Sequence, residues 1–234
     1  MISTIRLAAA PMALCATLAA WPACAQETPT TNGPTVNFVL QAASDYVWRG
    51  LSQTDGHPAV FATVTVKTGN FYAGASAENV RFSGIHAEYD AWAGYVANLG
   101  PAKLDLGVIR YAYVDAPANI DTLEGKAALS GNVGKLGLTT SAFYTRNYFG
   151  THRPAFYTEA AATLPVPGAP GLTASATYGR QQIDALPDYT TWNAGLDYAA
   201  TKALSLGVRF SDSTNRAAGS AGDGRVVGSA TISF

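Results

Sequence analysis

Charged residues are scarce in this chain. They make up 13% of its 234 residues, whereas an ordinary soluble domain carries about 25%. Basic and acidic residues are nearly balanced, at 15 and 16. Because basic residues do not outnumber acidic ones, the chain is not expected to be a general nucleic-acid-binding protein. Low charge combined with 11% aromatic residues also argues against an intrinsically disordered chain.

Cysteine is nearly absent as well. Cys15 and Cys24 both lie within residues 1–25, which have the pattern of a cleavable secretory signal peptide, with a retained membrane anchor as the alternative. Arg6 supplies its positive charge, and a largely apolar run follows. Cleavage before Gln26 leaves a mature chain without cysteine, which excludes disulfides, thiolate metal sites and cysteine nucleophiles.

Long apolar runs and helical periodicity are missing from the mature chain. A membrane-spanning helix needs an apolar stretch of about 18 residues or more, and none follows the signal segment. Beyond a short polar leader, residues 26–34, no sustained helical period is found. If the mature chain enters a membrane, it therefore does so as strands.

Period-two alternation is what the mature chain has instead. Twelve runs place apolar residues at every second position, and each has the roughly 9–13 residues that a tilted membrane strand needs. The first run, from Val36 to Trp48, predicts one strand with Tyr46 and Trp48 on the apolar outer face. Aromatic residues on that face or near strand ends are interpreted as interface girdles; they are Tyr46, Trp48, Tyr89, Tyr95, Tyr144, Tyr178, Trp192 and Phe234.

The connections between the runs alternate in length. Most turns after even-numbered runs are tight, as at Thr68 to Asn70. The connections after odd-numbered runs are predicted to be long, namely Gly50 to His57, Phe82 to Ala87, Val114 to Asn119, Tyr148 to Pro154, Gln181 to Asp188 and Ser213 to Gly224. This pattern predicts an all-β, up-and-down transmembrane β-barrel of about 12 antiparallel strands over residues 35–234, with short periplasmic turns and longer external loops. The barrel must close because lipid offers no hydrogen bonds to a sheet edge.

The last run ends on an aromatic residue. Val226, Ala230 and Ile232 share one face with Phe234, which is the form of signal that the barrel-assembly machinery of Gram-negative outer membranes reads. Phe234 is therefore predicted to be an assembly signal, and the machinery a partner of the last strand.

One segment carries a family resemblance. The run Ser44-Asp45-Tyr46-Val47-Trp48-Arg49-Gly50-Leu51-Ser52-Gln53-Thr54 resembles the N-terminal signature of the TorF-type porins of proteobacteria, and matching stretches extend over the mature chain to Phe234. The resemblance implies an outer-membrane barrel with a transport role. It implies no particular solute and no catalytic residues.

The alternation also predicts which charges face the lumen. The set contains eight acids and five bases: Asp45, Glu78, Glu88, Asp90, Asp105, Glu124, Glu159, Asp197, Arg49, Lys67, Lys126, Arg209 and Arg225. These charges either line a water-filled path that weakly favours cations and small polar solutes, or pair with one another across a filled interior. For Asp45 and Arg49 an internal ion-pair role is expected.

Four arginines have the opposite parity. Arg81, Arg110, Arg146 and Arg180 fall on the lipid-facing register near the external ends of their strands. A ring of guanidinium groups at one height could bind lipopolysaccharide phosphates. The alternatives are simple snorkelling at the rim or bulges that turn these side chains inward.

Enzyme motifs are not found. The three histidines, His57, His86 and His152, fall in predicted external loops without a paired zinc motif or a nucleophile elbow. No cofactor and no metal site is predicted. The expected function is a porin-like outer-membrane channel; the alternatives are a plugged structural or adhesive barrel and, less favoured, a lipid hydrolase.

Overall fold

The computed structural model describes residues 33–234. The predicted signal peptide, residues 1–25, and most of the predicted leader lie outside the described residues. Twelve strands form one closed antiparallel barrel. Its strands are β1 (Thr35–Ala43), β4 (Ala59–Thr68), β5 (Phe71–Phe82), β6 (Ile85–Leu99), β7 (Ala102–Tyr113), β8 (Thr122–Val133), β9 (Leu136–Thr145), β10 (Ala155–Pro165), β11 (Leu172–Ile183), β12 (Tyr189–Ala199), β13 (Leu204–Ser213) and β14 (Arg225–Ser233).

The barrel closes where the first strand meets the last. β1 pairs with β14 from Val39↔Ser233 to Ala43↔Ser229, and with β4 from Thr35↔Lys67 to Ala43↔Ala59. Every barrel strand therefore has a neighbour on both sides, which removes the exposed edges that would otherwise promote aggregation. Among the described residues, no helix is long and apolar enough to cross a membrane.

The outward face of the barrel is apolar. Alternate residues along the strands expose large hydrophobic side chains, such as Val60, Phe71 and Leu123, each at 60–61%. Their neighbours in sequence turn inward, because successive strand residues point to opposite faces. The predicted fold class is thereby confirmed. The large apolar residues that are predicted to point outward from the strands after β1 are also found on the outer surface.

The loops differ in length between the two ends of the barrel. At one end, called the short-turn end, Gly69–Asn70, Gly100–Pro101 and Gly134–Lys135 each join two strands directly. The other end, called the long-loop end, carries most of the longer connections. One predicted long connection is wrong: between Phe82 and Ala87 the chain makes a tight turn at Ser83–Gly84, where φ is 49° and 78°. Two successive positive φ values match the twist of the strands, so β5 and β6 continue up to the turn.

The first strand ends earlier than its alternation predicts. β1 stops at Ala43, and residues 44–58 form a loop, called here the lumen loop, that turns into the barrel. Within it, β2 (Val47–Trp48) pairs with β3 (Leu51–Ser52) as a short hairpin. Tyr46 and Trp48 are each only 1% exposed, so their predicted positions on the lipid-facing surface are wrong. The loop places them in the lumen, where their apolar rings are buried by the wall residues.

Candidate functional site

The turn of the lumen-loop hairpin lies tightly against the barrel wall. It consists of Arg49 and Gly50, with φ of 43° and 74°. A Cβ atom on Gly50 would lie 2.8 Å from Cβ of Ser213 and 2.9 Å from the carbonyl oxygen of Asp212. Glycine is therefore required here both by the left-handed backbone and by the close approach to β13.

Arg49 anchors the hairpin to strands that lie across the barrel from β1. Its guanidinium donates to both carboxylate oxygens of Glu124 on β8, at 2.7 and 3.1 Å. It also donates to Oε1 of Gln181 on β11 at 2.9 Å. The side chains of Arg49 and Glu124 are only 3% and 2% exposed. This bidentate, buried ion pair holds the tip of the lumen loop against the opposite side of the barrel wall.

Aromatic rings surround the same guanidinium. The Arg49 Cζ lies 4.1 Å from the ring centroid of Trp48 and 4.2 Å from that of Tyr157. Contacts between a cation and a ring face offset part of the cost of removing the charge from water. Tyr111 also donates to Glu124, at 3.2 Å, which helps to satisfy the carboxylate.

A hydrophobic cluster fills the lumen around this anchor. Trp48 packs edge-on against Tyr111 and Phe149, with ring centroids 6.2 and 5.9 Å apart. Tyr46 packs in the same way against Phe61, at 5.0 Å. Further buried members come from the wall and the long loops: Leu51, Val80, Ile85, Ile109, Tyr113, Phe143, Tyr148, Tyr157, Ile183 and Tyr189. The long-loop half of the barrel therefore has a packed interior.

A second ion pair holds the beginning of the lumen loop. Asp45 accepts a hydrogen bond from Arg225 at 2.8 Å. It also accepts from the hydroxyls of Ser52 and Thr54, each at 2.7 Å. Because Ser52 and Thr54 follow the hairpin turn while Asp45 precedes it, one carboxylate ties together both ends of the inserted segment.

The short-turn half of the lumen is polar and more accessible. Lys126 pairs with Asp105 at 2.7 Å, and Arg209 pairs with Asp197 at 3.2 Å, with side chains 12–39% exposed. The hydroxyl of Tyr72 also donates to Asp105, at 2.6 Å. These charged side chains are more exposed than the buried pair of the long-loop half.

Three carboxylates gather on the β5–β6 hairpin. Glu78 pairs directly with Glu88 across the two strands, and Asp90 lies two residues further along β6. All three are buried, and one carboxylate oxygen from each lies within 4.8 Å of the other two. The alternation predicts that each of them faces the lumen, but it does not predict the grouping, which depends on the tight turn at Ser83–Gly84.

The predicted lumen charges fall into three groups. Eight form ion pairs, each joining one acid to one base: Asp45–Arg225, Glu124–Arg49, Asp105–Lys126 and Asp197–Arg209. Glu78, Glu88 and Asp90 form the acidic cluster. Of the remaining two, Glu159 is half-buried on β10, and Lys67 has inward parity but is exposed near the short-turn end of β4. Asp45 and Arg49 reach the lumen from the loop rather than from a strand face.

The four outward arginines are all exposed. Two of them pair with loop carboxylates: Arg110 with Asp121 at 2.6 Å, and Arg180 with Asp188 at 2.8 Å. The hydrogen bond from Arg180 holds the pKa of Asp188 below its usual range. Arg81 and Arg146 form no ion pair within residues 33–234, so they keep the most freedom to meet an external anion.

The histidines do not form a catalytic group in the described part of the chain. His57, His86 and His152 are exposed, and Nδ1 of His57 contacts only the backbone carbonyls of Thr54 and Asp55, at 3.1 and 2.8 Å. Within residues 33–234, no hydrogen bond joins a histidine ring nitrogen to a serine or threonine hydroxyl.

Several residues of the hydrophobic cluster and its anchor do not follow from the sequence pattern. Tyr111, Phe143 and Tyr157 occupy inward positions of their strands and are buried. The loop lengths predict that Gln181 begins a connection between two strands. It belongs instead to β11 and accepts a hydrogen bond from Arg49. Large aromatic residues at inward positions are a signal of a filled lumen, because an open water path does not bury them.

The fold and its interior define a closed, twelve-strand antiparallel barrel of the porin type. The chain belongs to the family described as "Bacterial protein of unknown function (Gcw_chp)", whose model matches residues 27–232. None of the curated proteins matches it in sequence.

Solved structures with a similar barrel include two porins. The KdgM porin superimposes with a TM-score of 0.60 at 10% identity, covering 86% of this chain and 99% of that one. The NanC porin gives 0.59 at 11% identity, covering 84% and 98%. A second KdgM structure, described as a complex with disordered oligogalacturonate, gives 0.60 at 9% identity. At these identities the likeness concerns the fold.

Proposed function

We propose that this protein is an outer-membrane channel for small polar solutes and ions, and that its lumen loop occludes the channel at the external end. One observation carries the proposal: a polar, accessible half-lumen leads to a half-lumen closed by a segment inserted from a loop. The hydrogen-bonded wall of a barrel cannot change the width of the lumen. A loop that is held by a few contacts can move out of the lumen and open it. The long-loop end would face outward, as in bacterial barrels with short periplasmic turns.

The charges of the lumen favour cations weakly. Four ion pairs neutralise eight of the charged side chains. Glu159 then remains as a half-buried lumen carboxylate outside these pairs, whereas Lys67 lies exposed near the short-turn end. A solute such as an oligogalacturonate carries many carboxylates, which the negative charge of Glu159 would repel.

Reversal potentials across a KCl gradient in planar bilayers test the proposed selectivity. The wild-type barrel should prefer potassium to chloride, and Glu159→Gln should reduce that preference because it removes a lumen carboxylate outside the four ion pairs. As a matched control, Asp188→Asn removes an exposed carboxylate in an external loop and should leave the reversal potential nearly unchanged. Anion selectivity of the wild-type barrel would overturn the proposed cation preference.

A permanently plugged barrel is the second candidate, and the packed interior of the long-loop half favours it. In that case the ion pair between Arg49 and Glu124 would serve stability alone. Proteoliposome swelling in small sugars separates the two candidates, because the intact wild-type barrel swells the vesicles if its lumen loop can leave the lumen and gives no swelling if the loop is a permanent plug.

Four exposed arginines on the outer surface suggest a membrane partner. Arg81 and Arg146, together with Arg110 and Arg180, are proposed to contact lipopolysaccharide phosphates. Replacing all four with alanine should lower lipopolysaccharide co-purification, and an unchanged amount would refute the contact.

The exposed Phe234 is proposed to be read by the barrel-assembly machinery. Membership of the TorF-type porins remains a prediction from the segment at Ser44–Thr54.

A further inference from the structure

We propose that Glu78, Glu88 and Asp90 form a binding site for a divalent, calcium-sized cation in the wall of the lumen. The proposal goes beyond channel function, because a cation held here would bind whether or not the barrel conducts. It begins from the register of the β5–β6 hairpin, in which Glu78 lies opposite Glu88.

The two glutamates are removed from water without a neighbouring base to compensate their charge. Glu78 is 4% exposed and Glu88 is 1% exposed. Within residues 33–234 neither forms an ion pair with lysine or arginine, and no carboxylate oxygen of the two makes a hydrogen bond of good geometry. Two buried acids side by side are costly unless a proton or a cation neutralises them.

Hydroxyl groups on neighbouring elements provide an independent indication of a ligand. The hydroxyl of Tyr46, on the lumen loop, lies beside Glu88, and the hydroxyl of Ser76 lies beside Glu78. Both hydroxyl oxygens are buried and make no hydrogen bond of good geometry within the described residues. Unpartnered polar atoms from the loop and from the wall are therefore aimed into the same small space.

The donor set selects a hard cation. Every candidate ligand is an oxygen atom, which suits calcium and magnesium rather than thiolate-seeking metals. The carboxylate ligand atoms lie within 4.8 Å of one another. Oxygens on opposite sides of a calcium ion, bound at about 2.4 Å each, would be roughly that far apart. Magnesium demands a tighter octahedron and gives up its waters reluctantly, so the cluster fits calcium better.

Calorimetric titration of CaCl2 into the purified full-length mature barrel in detergent at neutral pH tests the site. The wild-type barrel should bind about one equivalent, and Glu78→Gln/Glu88→Gln should bind none. The matched control is Glu159→Gln, which removes a lumen carboxylate outside the cluster and should bind calcium like the wild type. No calcium binding by the wild type, or unchanged binding by Glu78→Gln/Glu88→Gln, would overturn the proposal.

A second measurement does not depend on the folding of the double variant. Terbium binds at calcium sites and emits when nearby aromatic rings are excited. Tyr46 adjoins the cluster, and Trp92 follows Asp90 on the same face of β6. The wild-type barrel should give sensitised terbium emission that calcium displaces. Absence of that emission, or emission that calcium does not displace, would contradict the site.

Discussion

At the scale of single residues, Gly50 controls how closely the lumen loop approaches the wall. Gly50→Ala meets two penalties: a positive φ of 74° and contacts at 2.8–2.9 Å with β13. A left-handed backbone costs a non-glycine residue about 1–2 kcal/mol. The clash adds to this cost, so the substitution should displace the hairpin and increase the fraction of time for which the barrel conducts.

Gly56→Ala is the matched control for this substitution. Gly56 lies in the same loop with φ of 72°, but a Cβ atom added there would meet no atom within 4 Å. It carries the backbone penalty without the clash. Single-channel recordings should therefore show a larger change for Gly50→Ala than for Gly56→Ala, and equal effects would show that the contact with β13 does not hold the loop.

The buried ion pair makes a second prediction at this scale. Glu124→Gln leaves the guanidinium of Arg49 buried without its counter-charge. Breaking a buried pair in this way costs about 3–5 kcal/mol. Asp121→Asn breaks the exposed pair with Arg110 and should cost no more than about 1 kcal/mol. Urea unfolding in lipid or detergent compares the two variants, and a similar free energy of unfolding for both would contradict the anchoring role.

The strand alternation predicts most inward residues correctly, because the side-chain period of a strand is two. Lys126 and Arg209 lie in the lumen for that reason. The partners of Arg49 could not be predicted, since Glu124 and Gln181 lie far away in sequence and meet it only through the inward path of the loop.

At the scale of elements, the lumen loop is an insertion between two paired strands. Ala43 and Ala59, at its two ends, are partners in the β1–β4 ladder. Replacing residues 46–56 with a short Gly-Ser turn should therefore leave the barrel intact. Circular dichroism should retain the β-sheet spectrum, and migration of the unheated sample on gels should stay that of a folded barrel. Failure of the shortened protein to fold would show that the packed cluster is required for barrel formation.

The alternation continues past Ala43 as far as Trp48, which is why the sequence does not show where β1 ends. Apolar residues at every second position are typical of a strand. Tyr46 and Trp48 continue that alternation, but they lie in a loop that buries them in the lumen. The tight turn at Ser83–Gly84 escapes prediction for the opposite reason. The polar residues around it suggest a longer loop, although two residues with positive φ suffice to join the strands.

At the scale of the whole molecule, the apolar exterior and the closed sheet follow from the sequence pattern, and the structure confirms the twelve strands. The packed interior of the long-loop half does not follow from that pattern. It arises from contacts between the lumen loop, the wall strands and the loop carrying Phe149. Composition and periodicity give the architecture of the barrel, whereas the state of its lumen depends on tertiary packing.

Single-channel conductance of the loop-shortened barrel tests occlusion by the lumen loop most directly. The wild-type barrel should show small or infrequent openings, and the variant lacking residues 46–56 should show large, sustained ones. A control that removes the exposed residues Pro117 and Ala118 from another loop should behave like the wild type. If removing the lumen loop leaves the conductance unchanged, the lumen is not closed by that loop and the proposed gated channel is wrong.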